Sequence, residues 1–438
     1  MSPYPVQALA MSSPLQPDTN SDDDMAQARY ILNRLFQGFA DPFAVRLWNG
    51  RVLTIGDGAP VFTFCLEQAS VLRDMVWFSN PQRLLEAYCA GELQIHGDFH
   101  AAMQLREHVE SLCLPLHEKL GLVFRALTLA DRPHAHQVRD IATARAAATA
   151  RTQTPSAMPL NDEVADAFYQ YWLDEQMLYS CAYFTGAGTS LSQAQQTQLT
   201  LICQKLRLQH GETLLDMSCG WGGLACWAAK HYGVFVHGIT TNPAQYAYAT
   251  RQVQQQGLTH LVKIALAEDD RLPALASYDK AVFIGIAEQI GAAQYPAFLA
   301  KVYAALKPGG LFLSHVMTTE HVTGGHTGSE HAPRPQEAAS GLINRQRYPA
   351  GELTSFAQVL QHMDNARFDV FNVEGLRRHY MMTLREWLKN LEAQHASIAA
   401  NLSERTYRIW RLALTASVIQ FEQGVTGMHQ VLATRRCD

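Results

Sequence analysis

Leu214–Gly223, "LLDMSCGWGG", sets a short apolar run directly against a turn built on Gly220, Gly222 and Gly223. That pattern predicts a strand entering a helix through a tight turn, where missing side chains let another group approach the backbone. Outward from this point the chain alternates. "GGLACWAAKHY" is a predicted helix, "VFVHGIT" a strand and "NPAQYAYATRQVQQQG" a helix; "VKIALA", "KAVFIGIA" and, after the turn "KPGG", "GLFLSHVM" are strands. Strands separated by helices of this length predict an α/β fold with a mostly parallel sheet covered on both faces.

Upstream the organisation differs. Residues 1–24 lack a basic stretch followed by an apolar core and read as a disordered tail. A helix over "AQARYILNRLFQGFA", strands in "FAVRLWNGRVLTIGD" and "VFTFCLE", a helix stopped by Gly91 and a short return strand predict a smaller α/β domain over 25–130. Residues 131–158, rich in Ala, Thr and Arg and poor in large apolar residues, read as a linker, and 159–438 as the larger domain.

A chain of 438 residues exceeds the size at which one core keeps growing, in agreement with two domains. Its net charge of −5 argues against a surface tuned to nucleic acid. The eight cysteines show no paired CxxC spacing, which argues against a zinc site or a disulfide framework and for a cytoplasmic setting. No apolar run approaches the ~18 residues needed to span a bilayer.

In open α/β sheets ligands bind beyond the carboxyl ends of the strands, against glycine turns and helix N-termini. Here the run is C-G-W-G-G, and no basic residue follows to neutralise a pyrophosphate. A less anionic nucleoside, S-adenosylmethionine, fits better than a dinucleotide. Thr240, Thr241 and Gln245 follow the second strand, where polar groups reach a ribose or adenine. "AEDD" follows the third, with Asp269 or Asp270 available to an adenine amino group. A plain tight turn and helix caps at Thr241 or Asn242 are the ordinary readings of the same residues.

"LLDMSCGWGGLACWAAKHYGVFVHGITTNPAQ", "LYSCAYF" (178–184), "YDKAVFIGIAEQIGAAQY" (278–295), "LKPGGLFLSH" (306–315) and "RHYMMTLREWLKN" (378–390) together resemble cyclopropane-fatty-acyl-phospholipid synthases and their mycolic acid cyclopropane synthase relatives. The resemblance runs from about Tyr169 to the C-terminus, and "LLEAYCAG" is similar to the amino-terminal module of the phospholipid-acting members. It implies a Rossmann-like, S-adenosylmethionine-dependent methyltransferase domain with a seven-stranded sheet, and methyl transfer to the double bond of an unsaturated phospholipid acyl chain. It further implies a bicarbonate ion as the base, surrounded by Cys181, Glu288, His315 and Tyr380. Tyr179, Ser180, Gly220, Gly222, Thr240, Gln245 and, more loosely, Asp269 would contact the cofactor. Such chemistry needs a dry apolar pocket, because methylating an alkene generates a carbocation, and one base to collect the proton.

The residues also have ordinary readings: Cys181 as a small core residue, Tyr380 as an interior tyrosine, His315 as a structural strand-end histidine. The chain departs from the family's pattern. Asn161 and Asp162 stand where a His-Tyr pair is usual, Gln289 follows Glu288 where His is common, and Met217-Ser218 replaces a β-branched residue and Gly. These departures leave the acceptor and product open: a C-methyltransferase giving methylene or methyl-branched chains, or acting on a non-lipid alkene, is the alternative. Peripheral contact at the inner membrane face is expected through "LRRHYMMTLREWLK", "SERTYRIWRLAL" or the amino-terminal module, a homodimer is allowed, and both helical stretches read equally well as packing helices.

Overall fold

The computed structural model describes residues 20–76, 81–111, 114–129, 166–267, 276–285, 290, 293–319 and 353–437. The chain divides into two compact units, Met1–Thr152 and Gln153–Asp438. The stretch 131–158 read as a linker lies outside the described residues.

In the first unit, helix α1 (Asn20–Leu35) begins inside the stretch read as a tail. Strands β1 (Phe43–Arg46), β2 (Val52–Ile55) and β3 (Phe62–Leu66) precede helices α2 (Ala69–Val76) and α3 (Pro81–Ala90), then β4 (Leu93–Gly97), α4 (Phe99–Ser111) and α5 (Leu116–Thr128). The four-stranded sheet runs β2-β1-β3-β4, with β1 and β3 parallel. Its core is aromatic: Phe43 stacks on Phe62 at 5.1 Å and meets Phe36 edge-on at 5.1 Å. Gly91, at φ +85°, ends α3 in the left-handed conformation that glycine tolerates.

The second unit opens with the single turn α6 (Asp166–Tyr169), then α7 (Leu191–Lys205), entered through a Ser190/Gln193 capping box. The alternation follows as β5 (Thr213–Asp216), α8 (Gly223–Tyr232), β6 (Phe235–Thr240), α9 (Pro243–Gln255), β7 (Val262–Leu266), β8 (Tyr278–Ile284), α10 (Tyr295–Ala305) and β9 (Leu306–Thr319). The chain finishes with α11 (Phe356–Asn365), β10 (Phe368–Gly375), α12 (Arg377–Ala393), α13 (His395–Asn401), α14 (Glu404–Glu422) and β11 (Thr426–Arg435). The sheet order is β10-β11-β9-β8-β5-β6-β7. The pairs from β9 to β7 are parallel, and β11 and β10 add antiparallel partners at the other side. This is the mostly parallel, seven-stranded α/β sheet.

Two local readings change. "KPGG", read as a turn before the strand, falls within β9, where the register with β8 jumps from Tyr278↔Leu306 to Lys280↔Leu311. The extra residues bulge out of the ladder, and Gly309 takes φ +75°. His315 does not end its strand: β9 continues to Thr319, and His315 stands level with Ile284, the last residue of β8.

The two stretches considered for lipid contact are α12 and α14, and their apolar faces pack in the interior. Leu384, Trp387 and Leu391 of α12 share one core cluster with Trp410, Leu414 and Val418 of α14. Charged pairs such as Arg385–Glu422 remain outside. Among the described residues no helix is long and apolar enough to cross a membrane.

Candidate active site

The three glycines of the turn after β5 stand in different surroundings. Gly223 opens α8, and a Cβ there would stand 2.7 Å from Leu178 Cδ2 and 2.9 Å from the carbonyl oxygen of Gln176. At Gly222, φ +88°, a Cβ would come 3.1 Å from that of Ala249 on α9. Gly220, φ +53°, faces open space instead. Protein therefore occupies the room left by Gly223 and Gly222, and Gly220 exposes backbone to whatever enters the site. Asp216, at the end of β5, is buried; desolvation pushes its carboxyl up to about 7, against the lowering effect of the Ser218 N–H.

At the end of β6 the buried Thr240 hydroxyl donates to Gln245 Oε1 at 2.8 Å and accepts from the N–H of Asn242 at 3.2 Å. Asn242 caps α9, accepting from the N–H groups of Ala244 and Gln245. The cap falls to Asn242, which leaves Thr240 and Gln245 as a bonded pair at the carboxyl edge of the sheet. Gln245 has its oxygen engaged, and among the described residues its amide N–H groups have no partner.

The segment 178–184 crosses the same region. Ser180 and Leu178 present carbonyl oxygens to Gln195 Nε2 of α7, at 3.1 and 3.3 Å. Cys181 is buried, its thiol donates to the carbonyl of Ala182, and burial pushes its pKa far up, so it stays a thiol. The next N–H, of Ala182, donates to Thr383 on α12 at 3.0 Å. Tyr380, one turn earlier on α12, is buried edge-on to Phe421 at 5.0 Å. Tyr179 stacks on Trp387 at 5.1 Å. Cys181, Tyr380, Met317 and Trp221 belong to one apolar cluster with Tyr179 packed against it, a dry surround of the kind a carbocation needs.

His315 is 1% exposed and sits in a polar network that spacing alone does not suggest. Its Nδ1 lies 3.2 Å from Gln430 Nε2 and 3.4 Å from Gln198 Nε2. Gln430 Oε1 accepts from Lys205 Nζ at 2.5 Å, and Lys205 pairs with Glu374. Burial, with Lys205 and His429 nearby, lowers the imidazole pKa to about 3, so His315 is neutral at physiological pH. Its Nε2 is buried without a hydrogen-bond partner among the described residues, as are Oε1 of Gln195 and of Gln198. A buried ring nitrogen left open in this way is a place for a ligand atom to bond.

The structure thus brings Tyr179, Ser180, Cys181 and Tyr380 around one cluster, and α7 links that segment, through Gln195, to His315, through Gln198. Thr240, Gln245 and Gly220 lie at the strand ends beyond β5 and β6. Glu288 and Asp269 lie outside the described residues, as do Asn161, Asp162 and Gln289. Gln195, Gln198, Lys205, Glu374, Gln430 and Thr383 were not singled out by sequence, nor was Asp166, whose carboxylate accepts from the Trp221 indole N–H at 2.8 Å. A cleft along α8 and α9, lined by Trp227, Lys230, His231 and Tyr248, includes Gly222 but none of the other residues expected to bind or react.

Known proteins resemble this chain in sequence and fold. The family described as mycolic acid cyclopropane synthetase matches residues 151–431. A probable fatty acid methyltransferase of Pseudomonas putida is 34% identical over 90% of this chain and 92% of its own. The cyclopropane-fatty-acyl-phospholipid synthase of Escherichia coli K12 is 31% identical over 62% of this chain and 66% of its own. The crystal structure of mycolic acid cyclopropane synthase CmaA1 complexed with SAH and CTAB superposes with a TM-score of 0.58 at 28% identity, covering 65% of this chain and 100% of that one. The chain belongs to the mycolic acid cyclopropane synthetase family of S-adenosylmethionine-dependent methyltransferases, enzymes that methylate lipids.

Proposed function

We propose that this enzyme transfers a methyl group from S-adenosylmethionine to the double bond of an unsaturated phospholipid acyl chain and closes a cyclopropane ring, with bicarbonate as the proton acceptor. The observation that carries the reading is the buried Nε2 of a neutral His315, without a partner among the described residues and linked through Gln198 and Gln195 of α7 to the segment that bears Cys181. When bound, S-adenosylmethionine supplies the electrophilic methyl group and bicarbonate the base.

The chain's own residues bind, orient and exclude water. Gly220 offers bare backbone to the amino-acid end of the cofactor, and the Thr240–Gln245 pair offers polar groups to its nucleoside. Tyr179 and Ser180 would hold the cofactor, and Asp269 would bind its adenine amino group. His315 presents its Nε2–H to the anion, Tyr380 and the backbone beside Cys181 add donors, and Glu288 holds the anion's proton. The thiol of Cys181, held protonated by burial, is a poor nucleophile and leaves the cation alone.

The relative in Pseudomonas putida carries the name of a fatty acid methyltransferase, which favours a methylated or methylene product as the second reading. Cytoplasmic placement against the inner face of the membrane belongs to the proposal, since acyl chains must be reached from a bilayer. The test is proton NMR and mass analysis of lipids from cells expressing the protein. Upfield ring methylene protons are expected; vinyl protons point to the methylene product, and unchanged lipids sink the reading. Replacing Glu288 by Gln is expected to cut turnover by orders of magnitude with cofactor affinity nearly intact.

A further inference from the structure

His315 carries one proton on two ring nitrogens, and which one bears it decides whether the ring gives or takes a hydrogen bond at Nε2. The neighbours answer through a chain that begins with an unambiguous donor. The Lys205 ammonium has only N–H groups to offer, so the atom of Gln430 facing it at 2.5 Å is the amide oxygen. The other end of the same amide, an N–H, is thereby turned toward His315 Nδ1 at 3.2 Å. Nδ1 has a single lone pair in the ring plane and must accept. Gln198 approaches the same nitrogen at 3.4 Å from α7.

The register of the sheet makes this durable. Gln430 of β11 is the direct cross-strand partner of His315 of β9. Gln430 is 2% exposed, so its amide has no water to turn toward. Glu374 of β10 pairs with Lys205 and accepts from the Tyr183 hydroxyl at 3.1 Å, which compensates the ammonium at the end of the relay. His429, the remaining titratable neighbour on β11, engages the Thr318 hydroxyl at 3.1 Å.

We propose that Lys205 and Gln430 are positioning residues that lock His315 in the tautomer protonated on Nε2, so that it faces the reaction site as a permanent N–H donor to an oxyanion. Neither residue touches the reacting atoms; both act through the imidazole. The role of the donated hydrogen bond rests on the bicarbonate reading above, whereas the tautomer itself is a property of the protein without ligand.

The experiment uses the full chain labelled with 15N-histidine and two-bond 1H–15N correlation spectra, with the signals lost in His315→Asn giving the assignment. The wild type is expected to show His315 protonated on Nε2 across pH 6–8. Gln430→Glu puts an acceptor against Nδ1 and is expected to move a proton there. Lys205→Met releases the amide and is expected to give a mixture of tautomers, with Lys205→Arg restoring the wild-type pattern. Both disruptive variants are expected to raise the bicarbonate concentration needed for half-maximal turnover by tenfold or more. An Nδ1–H tautomer in the wild type, or an unchanged tautomer in both disruptive variants, overturns the proposal. A wild-type enzyme indifferent to bicarbonate depletion overturns the functional reading, and the spectra still decide the tautomer.

Discussion

The hydroxyl of Ser218 closes both backbone groups of Ile284: it donates to the carbonyl oxygen at 3.0 Å and accepts from the N–H at 2.9 Å. Ile284 ends β8, four residues before Glu288, and Ser218 stands where the family prefers glycine. One side chain therefore replaces the missing ladder partners at the strand end that precedes Glu288 in the chain. Ser218→Ala leaves that donor and acceptor unmade, at an expected cost of about 1–3 kcal/mol. Denaturant unfolding measures it, and a change within error shows that other groups fill in.

The glycines of the turn should separate in their effects. Gly223→Ala forces a Cβ against Leu178 and the Gln176 carbonyl, and overpacking of this kind costs about 1–3 kcal/mol. Gly220→Ala meets nothing, pays only about 1–2 kcal/mol for a left-handed backbone, and crowds the cofactor. The melting temperature should fall more for the first and affinity for S-adenosylhomocysteine more for the second. The reverse order would place the cofactor elsewhere.

Asp216 makes the free enzyme's stability depend on pH. Its carboxyl is raised by burial from 3.8 to about 7, so the folded chain holds a proton that the unfolded chain releases. That stabilisation is fully present below pH 3.8 and is lost as pH rises through about 7, a few kcal/mol at most by the linkage relation. Thermal melts of the wild type from pH 5 to 8 should decline relative to Asp216→Asn. Parallel curves would show that Asp216 is already ionised at pH 5.

Trp221→Phe keeps an aromatic ring 4.9 Å from Tyr169 and removes the N–H that holds Asp166. A hydrogen bond to a charged group is worth about 1.5–3 kcal/mol. The expected outcome is a lower melting temperature and a several-fold weaker cofactor, read by isothermal titration. Unchanged binding would mean that the Trp221–Asp166 bond does not shape the cofactor site.

Much of the candidate site was legible as residue types. Thr240 and Gln245 could be placed because they follow a strand in a repeating pattern, and Cys181, Tyr380 and His315 because separated motifs occur in a familiar order. The helix cap at Asn242 was one of two positions left open, since Thr241 and Asn242 both cap well and only backbone geometry chooses between them. Helices α12 and α14 looked amphipathic enough for a lipid surface. Their apolar faces are consumed by each other and by Phe168 and Trp172, a choice that periodicity cannot make because a bilayer and a protein core both accept the same face.

By itself the sequence determined the alternation of strand and helix, the glycine turn after β5 and the chemistry each motif could offer, because those follow from local periodicity and from side-chain type. Only the tertiary structure decided that Leu178 fills the space beside Gly223, and that Gln430, 115 residues away along the chain, faces His315 with Lys205 behind it. The physical reason is register. Which residue stands across a strand is set by how distant segments pair, and a shift of one residue would have turned Gln430 to the other face of the sheet.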